Sequence, residues 1–147
     1  MISRMPSRAA VIAVVLLLVT TGCGELKSPT EPLTGTLPPD PTATFTRVQN
    51  EVFTPSCATL ACHDPLGQQS QMVLSAGRAY ANTVGVNSVE MPQLRRIAPN
   101  DPSNSYLYRK ITGAGITGDR MPLNQPPLSE SQIALVRDWI RRGAPND

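Results

Sequence analysis

Four stretches of this chain read as helical from their apolar spacing and their end signals, and none alternates apolar and polar residues long enough to predict a strand. The clearest is LSESQIALVRDWIRRGAP, residues 128–145. Ser129 and Gln132 are spaced as a capping box, with Leu128 and Ile133 at the two staple positions around it. Advancing about 100° per residue puts Ile133, Leu135, Val136, Trp139 and Ile140 on one face, which predicts that this face is buried. Arg141 and Arg142 suit the negative end of the helix dipole, so a solvated helix end accounts for them, and Gly143 with Pro145 stops the helix.

The other three segments are shorter. DPSNSYLYRKITG, residues 101–113, has Asp101 as cap, Pro102 at the first helical position, Leu107 and Ile111 one turn apart and Gly113 as stop. Residues 46–53 predict a helix capped by Thr46, with Gln49 completing a capping box and Pro55 beyond the end. Residues 75–84 form the weakest pattern, between Ser75 as cap and Gly85 as stop.

Ahead of these segments lies a different organisation. Arg4 and Arg8 precede AAVIAVVLLLV, residues 9–19, an apolar run of signal-peptide length and too short to span a bilayer comfortably. It closes as TTGC, resembling the cleavage box of bacterial lipoproteins, so residues 1–22 are expected to be removed and Cys23 to carry lipid. Gly24, in place of an aspartate, points to the outer membrane. The expected location is the cell envelope, on the periplasmic face of that membrane. Residues 24–44 hold five prolines and few large aliphatic side chains, so segment 23–44 reads as a lipidated cysteine followed by a flexible tether. The folded domain is then expected over 45–147.

Composition changes the picture in two ways. Without Arg4 and Arg8 the chain has 11 basic and 11 acidic residues, and no basic patch with interleaved aromatics remains to bind nucleic acid. The 103 residues from Phe45 onward contain only six aromatics: Phe45, Phe53, Tyr80, Tyr106, Tyr108 and Trp139. A domain of this size has limited burial to draw on, and a large planar apolar cofactor would make up the shortage.

The candidate chemistry sits in CATLACH, residues 57–63. With Cys23 assigned to lipid, Cys57 and Cys62 remain as an exported pair, and His63 follows directly. Covalent haem attachment needs two thiols for the vinyl groups and an imidazole for the iron. The usual CxxCH places all three on one face of a helical turn. Cys57 and Cys62 are five residues apart, about 140° round a regular helix, so the chain between them is expected to bulge out of helical register while Cys62 and His63 keep theirs. A Cys57–Cys62 disulfide requires a non-helical loop as well, because helical Cα atoms at this spacing lie beyond bonding reach. Two cysteines and one histidine make a poor zinc set, and thiol redox catalysis lacks its CxxC and βαβ context.

His63 is the only histidine, so a second axial ligand from the protein should be a methionine. Met121, in GDRMPL between the two best helices, is the first candidate. Met91 in EMPQ is the runner-up, and Met72 is judged too near His63 in sequence to reach round.

The ordered set FTPSCATLACHD, APNDPSNSYLYRKITG, GDRMP and LSESQIALVRDWIRRGAP resembles the class I cytochrome c family, and within it the haem-binding domains of exported bacterial c-type proteins, including planctomycete-type cytochrome domains. Extended spacings between the two cysteines occur in that family. The resemblance covers about residues 45–147. It implies an all-α fold of three to five short helices around one covalent haem c. Cys57 and Cys62 would be thioether-linked, His63 and Met121 axial, and the terminal helices packed together with Trp139 at their contact. The expected function is a lipid-anchored monohaem electron carrier, not an enzyme, that exchanges single electrons with redox partner proteins of the envelope. A haem-free envelope lipoprotein with a Cys57–Cys62 disulfide, binding protein or glycan, is the alternative of another class. A redox enzyme with pentacoordinate haem is a third.

Overall fold

The structure is a computed structural model that describes residues 37–147. The expected signal segment, Cys23 and the tether up to residue 36 lie outside the described residues. Among the described residues the regular elements are helical. There is no strand, only three isolated bridges that pair Val84 with Ile97, Asn87 with Arg95 and Arg95 with Ser105. The all-α expectation holds at this level. No helix among the described residues is long and apolar enough to cross a membrane.

The first helical stretch runs from α1 (Phe45–Val48) through a π-helical segment (Gln49–Phe53) into α2 (Thr54–Ser56). It differs from the expected 46–53 helix at both ends. The cap is Thr44, whose hydroxyl accepts from the Arg47 amide at 3.2 Å, while Thr46 donates its hydroxyl to the Asp147 carbonyl. Gln49 makes no capping box. It is buried, and its side-chain amide donates to the Leu74 carbonyl at 2.9 Å and to the Thr54 hydroxyl at 3.0 Å. Pro55 lies within the stretch instead of beyond it. Its missing N–H leaves the Glu51 carbonyl without the usual donor four residues on, and the Gln132 side-chain amide fills that place at 2.9 Å.

The middle helices are trimmed. α3 spans Ala79–Thr83, because Ser75 serves as a turn acceptor through its carbonyl, taking the amides of Arg78 and Ala79, and caps nothing with its side chain. The predicted 101–113 helix is broken in two. Asp101 caps a 3₁₀ turn, Pro102–Asn104, by accepting from the Asn104 amide, and α4 follows at Tyr106–Thr112. The break falls at Ser105, fully buried and extended, whose hydroxyl accepts from the Ala98 amide and donates to the Asp101 carbonyl. Gly113, at φ 82°, ends α4 as expected.

α5 (Glu130–Arg141) carries the full capping box between Ser129 and Gln132. Its predicted apolar face is buried at Leu135, Val136, Trp139 and Ile140, with Ile133 packed at the margin. α5 packs against both α1 and α4. Trp139 is fully buried, donates its indole N–H to the Pro145 carbonyl, and lies 5.4 Å centroid to centroid from Phe45. Phe45 also meets Phe53 and Tyr80 edge-on, so four of the six aromatics form one cluster between the terminal helices.

The boundary drawn at residue 45 moves toward the N-terminus. Ala43 is fully buried, the Asp40 amide donates to Asp138, and Arg141 and Arg142 donate to the Leu37 and Ala43 carbonyls. The last residues assigned to the tether are thus part of the folded unit. Arg141 and Arg142 do more than end a helix: they hold the incoming chain.

Candidate functional site

One cavity of about 330 Å³ gathers most of the chemistry named above. Cys57, Cys62 and His63 line it from the loop after α2. Leu107 and Ile111 line it from α4, and Met121, Pro122 and Leu123 from the loop that leads to α5. Leu74 and Val89 add further apolar wall. Met121 is placed there by its amide, which donates to the Lys110 carbonyl at 2.9 Å and ties its loop to α4.

The CATLACH loop leaves the helix at Cys57, whose amide still donates to the Phe53 carbonyl. The chain then turns, closing with the Cys62 amide on the Thr59 carbonyl and the His63 amide on the Cys57 carbonyl at 3.1 Å. The expected bulge is present, but Cys62 and His63 lie in this turn and not in helical register, because Ala61 takes φ 65° just before them. Gly67 closes the loop from outside. A Cβ there would lie 2.6 Å from the Cys62 carbonyl oxygen, so only glycine allows so near an approach. Its amide donates to the Asp64 carboxylate at 2.6 Å.

Both thiols are free. Burial, with the neighbouring Cys62 thiolate adding to it, pushes the Cys57 thiol up to about 12. Burial also pulls the His63 imidazole below its ordinary value, and the positive charge of Arg96 acts the same way. The Met72 and Gln69 carbonyls and the charge of Glu90 work against both without prevailing. His63 is therefore a neutral imidazole at physiological pH, the form that binds a metal. Its Nδ1 lies 3.3 Å from the Met72 carbonyl.

Met91 is not among the cavity-lining residues. Its sulfur accepts from the side chains of Gln93 and Thr117, each at 3.6 Å. Met72 does line the cavity, although its closeness to His63 in sequence argued against it. Sequence reasoning also missed a polar rim. Glu90 accepts from Lys110 at 2.9 Å, Tyr106 at 3.0 Å and Ser70 at 2.8 Å, and Arg96 stands beside them in the cavity wall. Burial of Glu90 acts to raise its pKa, but those three hydrogen bonds and the Lys110 charge hold it below the ordinary carboxylate value.

No family model matches the chain, and no curated protein or solved structure matches it.

The donors at the cavity are soft or borderline: two thiols, one imidazole and two thioethers. Such a set suits a late transition metal or a cofactor bearing one. Among the described residues no three Cys, His, Asp or Glu side chains are grouped to hold a metal ion by themselves. A zinc site would need such a group.

Proposed function

We propose that the domain is a monohaem c-type cytochrome of the class I kind, carrying single electrons. The observation that carries this reading is that the 57–63 loop, with Cys57, Cys62 and His63, and the distant loop of Met121 meet at one largely apolar cavity. The residues fit the group in kind. Cys57 and Cys62 would hold a haem through thioether bonds, His63 and Met121 would ligate its iron, and Leu74, Val89, Leu107, Ile111 and Leu123 would pack against its apolar ring. Cytochromes of this class transfer single electrons through such a haem, and histidine–methionine ligation raises its reduction potential relative to histidine alone.

The protein's own residues supply the rest. The Met72 carbonyl orients His63 and the Lys110 carbonyl fixes the Met121 loop. The chain holds no second histidine to act as a distal acid or base, which favours an electron carrier over a peroxidase. On the TTGC reading the carrier is anchored by lipid on Cys23 to the periplasmic face of the outer membrane and exchanges electrons with envelope partner proteins. The test is expression with a cytochrome c maturation system, with the cysteine peptide examined for covalent haem. A colourless protein whose two cysteines are bonded to each other would leave the haem-free lipoprotein as the better reading.

A further inference from the structure

The Met72 carbonyl, which faces the His63 imidazole together with that of Gln69, belongs to a loop in a costly conformation. Gln68, Ser70 and Gln71 have φ of 43°, 52° and 55°, three non-glycine residues in the left-handed region within four positions. Such backbone is unfavourable for residues with a side chain and persists only where its surroundings over-determine it. Backbone bonds from the Gln68 amide to the Asp64 carbonyl and from the Gln69 amide to the Cys62 carbonyl hold its start, and Arg96 holds its end. It is 7% exposed, and its guanidinium donates to the carbonyls of Ser70 at 3.0 Å, Gln71 at 3.1 Å and Asn82 at 2.8 Å. A planar fork of donors can hold successive carbonyls in this way, whereas an ammonium can hold fewer with less geometric control. Ser70 is further tied to Glu90 through its hydroxyl.

The next residue is Met72, whose carbonyl lies 3.3 Å from His63 Nδ1. A carbonyl can only accept, so this contact is a hydrogen bond only in the tautomer that carries the proton on Nδ1. In that tautomer the Nε2 lone pair is free for a metal.

We infer that Arg96 is a positioning residue for His63: by clamping the Ser70 and Gln71 carbonyls it holds the strained loop so that the Met72 carbonyl fixes the imidazole as the Nδ1–H tautomer. The availability of Nε2 to iron rests on the haem reading. The clamp and the tautomer do not.

Because His63 is the only histidine, imidazole ¹⁵N shifts of the full chain report on it without ambiguity. Measured haem-free at about pH 8, above the ordinary imidazole pKa of about 6.5, the native sequence should give the Nδ1–H tautomer. Arg96→Gln should shift it to a mixture with Nε2–H, and Arg96→Lys should shift it less. Adding Ser70→Gly and Gln71→Gly to Arg96→Gln should restore the native tautomer, since glycine adopts positive φ without penalty. A purely structural role for Arg96 predicts no such rescue. In haem-loaded chain the readout is solvent exchange of the Nδ1 proton, expected to be about tenfold faster in Arg96→Gln. An unchanged tautomer in folded Arg96→Gln, or failure of the two glycines to restore it, overturns the inference. Should Arg96→Gln alone fail to fold, the triple variant decides: folded with Nδ1–H upholds the clamp, unfolded overturns it. Absence of covalent colour would sink the haem reading and leave the tautomer result standing.

Discussion

Gln132 donates its side-chain amide to the carbonyl of Glu51 at 2.9 Å, at the point where Pro55 leaves the first helical stretch short of a backbone donor. The same side chain accepts from the Ser129 amide at 3.0 Å in the capping box of α5. One residue thus caps its own helix and repairs another.

Gln132→Ala should destabilise the domain by about 1–2 kcal/mol, through loss of both bonds. Gln132→Glu keeps the capping acceptor but not the donor and should cost about 1 kcal/mol. Pro55→Ala supplies an amide four residues after Glu51, so in that background Gln132→Glu should cost less. Denaturant titration of the four proteins of the cycle measures the coupling.

Gly67→Ala should be damaging out of proportion to its size. The added methyl meets the backbone at Ala61 and Cys62 and not a flexible side chain, so the turn that presents Cys62 and His63 must shift. The expected cost is about 2–3 kcal/mol, with a changed His63 imidazole resonance. A neutral substitution at this position would mean that the loop is not packed as described.

How much of this was legible in the sequence depends on where each signal came from. α5 was legible because its caps and apolar face are set by residues within one turn of each other. Pro55 was misread as a terminator because the carbonyl it orphans is satisfied by a residue 81 positions away. Thr44 displaced Thr46 because Thr46 is drawn to the Asp147 carbonyl, another distant partner. At the site, Cys57, Cys62, His63 and Met121 were all named from residue type and order, and all line one cavity. Met72 was set aside on sequence distance, yet three left-handed residues fold the chain back before it. Arg96 carried no signal at all, since its partners are backbone carbonyls 14 to 26 residues away. Gly67 was the one available hint of a close backbone approach.

Cys57 should be nearly inert in the folded haem-free chain. Raised from 9.0 to about 12, its thiol is ~1000-fold less ionised at pH 8 than an ordinary one, and the thiolate is the reactive form. Alkylation followed by peptide mass should therefore label Cys57 at least ~100-fold more slowly than a free cysteine in solution, with a rate that gains about tenfold per pH unit. The same shift stabilises the fold fully below the ordinary thiol pKa, and that contribution is lost as pH rises from about 9 toward 12. Labelling of Cys57 as fast as a free thiol would contradict the shielding of its sulfur.

Met121→Ala in haem-loaded protein should abolish the weak near-infrared sulfur-to-iron band and lower the reduction potential, while Met91→Ala leaves both unchanged. Loss of the band in Met91→Ala instead would transfer the ligand role to the runner-up.

The central claim is covalent haem at CATLACH, and trypsin isolates it, because no Lys or Arg lies between Arg47 and Arg78, so that the 48–78 peptide contains Cys57, Cys62 and His63. From chain made with a cytochrome c maturation system, that peptide should carry the mass of one haem. The protein should also stay red after acid–acetone extraction, and Cys57→Ser with Cys62→Ser should lose both properties. A colourless protein whose 48–78 peptide is two hydrogens lighter than its free-thiol form would contradict the account.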